Sequence, residues 1–211
     1  MQIIVGVFGM CMATALPVRG QPVDASQQKI KDFYLSNLKQ DGSKDWEVKG
    51  NEAIMRDQYV DISKMEAKYF SSNDTIFVRS EKATLDKTNM NADLRDNVEL
   101  KIPDKEGNYI TVNCTGPLEM RYNEGKAIFY DNVVVNNPQA KLFSDKATIF
   151  FDTKDKKKMK IIAEGHVKIV KDDNVAFADK ATYTGEDKQV ILEGNPRLVY
   201  FSKKNETAGD K

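Results

Sequence analysis

Apolar and polar residues alternate along most of this chain. Met90, Ala92 and Leu94 alternate with polar neighbours before Val98, and Leu100 and Ile102 follow it. Ala127, Phe129, Val133 and Val135 repeat the pattern, as do Met159, Ile161, Ala163, Val167 and Ile169, and then Val190, Leu192, Pro196, Leu198 and Tyr200. A period of two marks half-buried β-strands. In each unit an apolar residue sits four before the closing Val or Pro and another two after it. The phase therefore survives the intervening step, and both flanking strands present the same face inward. After about residue 40 no long segment has helical periodicity, so an all-β fold is expected.

The units also share their ends. Glu81-Lys82-Ala83-Thr84, Asp145-Lys146-Ala147-Thr148 and Asp179-Lys180-Ala181-Thr182 are near-copies, and a fourth unit opens at Leu118. From opening Ala or Leu to closing Val or Pro the distances are 15, 15, 20 and 15 residues. The openings lie 35, 29 and 34 residues apart. Self-similarity of this length predicts a stack of similar units. The residues before the closing position are Asp96-Asn97, Asp131-Asn132, Gly165-His166 and Gly194-Asn195. Gly adopts positive φ freely, and Asn, Asp and His are the side chains most often found there. Each step reads as a sharp corner between strands. His166, the only histidine, stands where the other units have Asn, which assigns it a corner rather than a catalytic role. Five extra residues in one unit coincide with Lys154, Lys156, Lys157, Lys158 and Lys160, a lengthened hairpin tip that is solvated or touches anionic head groups.

Composition narrows the picture. The chain has 211 residues, with 32 basic and 32 acidic side chains and a formal net charge of zero. No basic face with interleaved aromatics suggests nucleic acid. No metal-ligand cluster, nucleophile constellation or phosphate loop is visible, so neither cofactor nor enzymatic activity is expected. The paired carboxylates of a sugar-cleaving β-helix are not evident, because acidic residues fall mainly at turns. Ile3 to Val18 is almost continuously apolar, and Ala13-Thr14-Ala15 resembles a small-x-small cleavage site. The expected organisation is a signal peptide or membrane anchor over 1–19, a polar linker over 20–44 with a short helical turn near Gln28 to Leu38, a β-domain over 45–202, and a charged tail over 203–211. Without the leader, Cys114 has no partner for an internal disulfide and acts as a small apolar residue.

Trp46-Glu47-Val48-Lys49-Gly50-Asn51-Glu52-Ala53 resembles the first strands of the LptC family. The stretch from Val133 to Tyr200, with Phe143 to Thr148, Glu164-Gly165-His166-Val167 and Phe177 to Tyr183, resembles the LptA (OstA-like) family of periplasmic lipopolysaccharide-export proteins. The resemblance implies an antiparallel twisted β-jelly roll with two facing sheets open along one side. It implies periplasmic location, with the N-terminal segment as a candidate inner-membrane anchor. It also implies an apolar trough that holds lipopolysaccharide acyl chains between the membranes. Its partners are lipopolysaccharide, the permeases of an inner-membrane ABC transporter, and other jelly-roll bridge proteins, including further copies of this chain end to end. An LptC-like role is expected first, a soluble LptA-like bridge second. A structural β-solenoid without cargo is the distant alternative.

The residues expected to face the trough are Ala83, Leu85, Ala92, Leu94, Leu100, Ile102, Met120, Phe129, Val135, Ala147, Ile149, Phe151, Ile161, Ile169, Phe177, Ala181, Tyr183, Leu192 and Leu198. From the residues alone, the stacked alanines either floor a continuous trough or let two sheets approach at a corner. The resemblance favours the trough. Burying an acyl chain is worth about 0.8 kcal/mol per methylene, so a dozen carbons give on the order of 9 kcal/mol. Water alone does not release such cargo. Transfer therefore needs adjoining troughs, joined by strand addition at open edges. The expected edges are Trp46 to Gly50 and Arg197 to Phe201, with a core plug as the other role open to Trp46. The Asp and Lys of the tetrapeptide are expected to point outward and pair across units.

Overall fold

The computed structural model describes residues 28–70, 75–89, 91–103, 108–150, 160–184 and 189–200. Among them the strands are β1 (Gln28–Leu38), β2 (Lys44–Met55), β3 (Tyr59–Phe70), β4 (Thr75–Asp86), β5 (Asn91–Arg95), β6 (Val98–Pro103) and β7 (Tyr109–Cys114). They continue as β8 (Leu118–Arg121), β9 (Lys126–Asn137), β10 (Ala140–Phe150), β11 (Lys160–Lys171), β12 (Asn174–Thr184), β13 (Gln189–Glu193) and β14 (Arg197–Val199). All pairings are antiparallel. The all-β expectation holds.

The long strands serve two leaves at once. The first part of β4 pairs with β6 and its second part with β5. β9 pairs first with β8 and then with β7, and β12 first with β14 and then with β13. One leaf therefore runs β4-β5-β8-β9-β10-β11-β12-β13. The other runs β4-β6-β7-β9-β10-β11-β12-β14. β1, β2 and β3 extend both. This is a single sheet folded lengthwise, and the fold line is the row of corners read from the sequence.

The corner chemistry is as expected. Asp96, Asn97, Asp131, Asn132, Gly165, His166, Gly194 and Asn195 all have positive φ, between 44° and 77°. Main-chain bonds tie three of these steps to residues at or just before the unit's opening: Glu81 N–H donates to Asp96 O, Thr115 N–H to Asp131 O, and Asp179 N–H to Gly194 O, each at 2.9 Å. The tetrapeptide side chains add outward pairs. Asp145 accepts from His166 Nδ1 at 2.7 Å, and Asp179 from Asn195 Nδ2 at 3.2 Å. Lys82 pairs with Asp96 at 2.8 Å and Lys180 with Glu193 at 2.9 Å. The Asp145 carboxylate raises the pKa of His166. That side chain is 91% exposed.

The sequence reading missed a second kind of corner. Where the step carries two left-handed residues, inward positions lie four apart, as in Leu94/Val98, Phe129/Val133 and Ala163/Val167. In β4, β10 and β12 the inward positions lie three apart across the bend: Ser80/Ala83, Ser144/Ala147 and Ala178/Ala181. The register confirms this, because Ser144 faces Val133 and Ala178 faces Val167. Alternation therefore changes phase in those strands.

A further correction concerns the N-terminus of the domain. Gln28–Leu38, expected as linker with a helical turn, is a strand paired along β2. Trp46 to Gly50 is therefore an interior strand, and β1 is the free edge. The 1–19 leader and the 203–211 tail lie outside the described residues, as do Met90 and Lys154 to Met159.

Candidate functional site: an apolar trough between two leaves

Cross-strand register turns the inward residues into continuous rows. In the leaf containing β5, one row reads Ile30, Ala53, Ile62, Ala83, Leu94, Leu118, Phe129, Ala147, Ala163, Ala181, Leu192. The next row reads Met55, Val60, Leu85, Ala92, Met120, Ala127, Ile149, Ile161, Tyr183, Val190. In the leaf containing β6, the row is Leu35, Val48, Ala67, Val78, Leu100, Val112, Val135, Leu142, Ile169, Ala176, Leu198. No polar residue interrupts any of them.

Burial is complete along the fold line and mixed beyond it, where Val60, Ala92, Val112 and Ala127 are still buried. At the bottom, Val98, Val133 and Val167 are at most 1% exposed and Phe129 is fully buried. The repeated Ala83, Ala147 and Ala181 are buried beside them. Farther out, Leu85, Leu100, Met120, Val135, Ile149 and Ile169 are only partly covered. A packed sandwich keeps both inner faces at interior density. Here the inner faces are fully buried along the corner, while Leu85, Leu100, Met120, Val135 and Ile149 pack against that core and stay partly exposed, which makes the space between the leaves a candidate apolar trough. The larger buried cluster runs from Phe33 to Ala147, whereas near β11 and β12 a smaller one holds Ala163, Val167 and Ala181, with Ala178 also buried. Trp46, 5% exposed, faces inward at the other end.

Most residues expected to face the trough fall in these rows. Ile102 faces Ile110 one row nearer the rim. Phe177 does not: the phase change in β12 turns Ala176 and Ala178 inward and puts Phe177 outside, facing Lys168 and Arg197. Phe151 lies outside the described residues. The sequence reading omitted Val48, Met55, Val60, Ala67 and Val78, although residues 46–86 alternate as clearly as the named units. Cys114 is free and buried, and burial pushes its thiol pKa up to about 11.

Both free edges carry exposed apolar side chains: Ile30, Tyr34, Leu35 and Leu38 on β1, and Val190, Ile191, Leu198 and Tyr200 at the far end. Natural edges normally carry charges or proline. Beside the first edge, Glu47 accepts from Tyr34 Oη at 2.9 Å and pairs with Lys44 at 2.8 Å and Lys68 at 2.7 Å. These partners lower its pKa to about 2.

A concavity of about 680 Å³ on the outer side of the bend is not part of the trough. It is lined largely by ionic and amide residues, among them Lys64, Glu66, Arg79, Glu99, Asn113 and Asn132. Among the described residues no acidic, His and Cys cluster could hold a metal ion, and no helix is long and apolar enough to cross a membrane.

Residues 116–211 match the family described as LptA/(LptD N-terminal domain) LPS transport protein. Comparison with curated proteins finds no match. The matched region holds β8 to β14, with three of the four left-handed corners and the smaller buried cluster of Ala163, Val167 and Ala181. Over residues 116–211, somewhat less than half of the chain, the protein is thus similar to the OstA-like family of lipopolysaccharide-transport proteins.

Proposed function

We propose that the protein is a periplasmic lipopolysaccharide carrier that holds acyl chains between its two leaves and passes them along a multi-protein bridge. The observation that carries this reading is the set of unbroken apolar rows on both leaves, fully buried at the corner and holding partly exposed Leu85, Leu100, Met120, Val135, Ile149 and Ile169 beyond it. The trough supplies apolar contact along its length and no catalytic group, which suits transfer without chemistry. Exposed apolar edges at both ends favour a link with neighbours on each side. Strand addition at β1 or at β13 and β14 continues the inward rows, placing Ile30 or Leu192 beside an apolar residue of the next protein. The family match favours an LptA-like bridge. An LptC-like acceptor beside the ABC transporter rests on the likeness of residues 46–53, and an intact N-terminus in inner-membrane vesicles would support it.

The test is photo-crosslinking in cells, with the reactive residue at Leu100, Ile149 or Ile169 and outward controls at Lys101 and Phe177. Lipopolysaccharide adducts are expected at the inward positions only. Adducts absent from all three, or equal at the controls, would overturn the reading.

A further inference from the structure

The outward face of the leaf near the C-terminal edge is unlike the rest of the surface. Its row nearest the corner reads Val134, Phe143, Lys168, Phe177, Arg197. The next row carries Asn136, whose amide is bonded to Thr111, then Lys141, Val170, Val175 and Val199. An antiparallel sheet with one solvated face normally sets polar residues there. Apart from Asn136 these positions are apolar or cationic, and none is acidic.

The cations differ from those on the same leaf farther toward β1. There Lys49 pairs with Glu66, Lys68 with Glu47, Arg79 with Glu99 and Lys101 with Glu99. Lys141, Lys168 and Arg197 form no ion pair among the described residues. Lys168 lies over the Phe143 ring at 5.6 Å, and Arg197 over the Phe177 ring at 4.7 Å. Neighbouring carboxylates do not answer them: Asp145 and Asp179 engage His166 and Asn195 at the corner, and Asp172 and Asp173 lie around the β11–β12 turn.

We infer that this outer face of β9 to β12 and β14 docks an acidic amphipathic helix of a partner protein. Carboxylates on such a helix would meet Lys141, Lys168 and Arg197, and its apolar side would cover the valines and ring edges. Cations stacked on aromatic faces are typical anchors of protein interfaces. The face spans five adjacent strands, roughly 20 Å at about 4.8 Å per step, room for a helix about 10 Å across. A membrane surface fits less well, because each ring is already capped by a cation, Phe143 by Lys168 and Phe177 by Arg197. The inference does not depend on what the trough carries.

The test uses the full chain and a labelled, designed helical peptide with glutamate on one side and leucine on the other, followed by fluorescence anisotropy. The same peptide with lysine for glutamate is the charge control. Vesicles of phosphatidylglycerol and phosphatidylcholine test the membrane alternative by co-sedimentation. The acidic peptide should bind in a salt-sensitive manner. Lys168→Glu/Arg197→Glu should weaken it on the order of tenfold or more, since like charges then oppose. Lys101→Glu, on the ion-paired part of the leaf, should leave binding unchanged, and circular dichroism should show both variants folded. If the double variant loses its fold, Lys141→Glu alone gives the same reading with a smaller loss. Equal binding of the lysine peptide, no effect of either reversal, or vesicle binding without peptide binding would each overturn the inference.

Discussion

Val167 and Ile169 stand two residues apart on β11 and face the same way, yet they should fail differently when truncated. Val167 is 1% exposed at the bottom of the fold line. Val167→Ala deletes two carbons from a closed site, about 0.8 kcal/mol each plus a cavity term, for a total of about 2–2.5 kcal/mol. Ile169 is only partly covered. Ile169→Ala removes three carbons whose outer surface already meets solvent, so folding should lose about 1 kcal/mol or less. Those same carbons would touch cargo, at a cost to binding of about 1–2 kcal/mol, or roughly five- to thirtyfold in Kd. Urea unfolding measures the first quantity, and displacement of a fluorescent lipopolysaccharide measures the second. Should Ile169→Ala cost as much stability as Val167→Ala and leave binding untouched, the row is ordinary core and the trough does not exist.

Other outcomes follow from the corners, the edge and the charge cluster. Gly165 sits at φ +77°, and a Cβ there would come within 2.9 Å of Asp145 Cβ, so Gly165→Ala should cost at least about 1–2 kcal/mol in thermal unfolding. Asn132→Gly, at φ 49°, should stay within about 1 kcal/mol of the parent because the left-handed strain it relieves opposes the lost Thr115 bond. Glu47 is held at a pKa of about 2, below its unfolded value, so its contribution is complete above about pH 4.5 and fades as pH falls toward 2. The Tm difference between the parent and Glu47→Gln should therefore be full at pH 7 and vanish near pH 2. Val190→Lys/Ile191→Lys charges both sides of an exposed edge strand. It should abolish edge-dependent crosslinking to neighbours while leaving the unfolding midpoint within about 0.5 kcal/mol of the parent.

Much of the fold was legible because its two signals are local. Alternation reports the buried face, and a left-handed corner restricts the residues that can occupy it. Asp96-Asn97 and Gly165-His166 therefore declared themselves without a partner strand in view. The phase change in β10 and β12 leaves no such mark. Neither bend uses positive φ, and the bulge is defined by what lies opposite, as Val133 faces Ser144. Phe177 was misassigned for that reason: a large aromatic on the outside reads like one on the inside until register is known. Gln28–Leu38 was missed because an edge strand covered on one side only carries more polar residues. Its Lys29, Lys31 and Asp32 diluted the alternation.

The shared strands also govern how such a protein can change in size. Because each long strand builds both leaves, adding or deleting one repeat changes both together and leaves the cross-section alone. Each strand contributes about 4.8 Å, so the path of eleven strands gives a folded sheet roughly 50 Å long. Length is thus a digital property, set by the number of repeats, while bore is set by the corners. A gene duplication within this chain would lengthen the folded sheet in fixed increments without altering its cross-section.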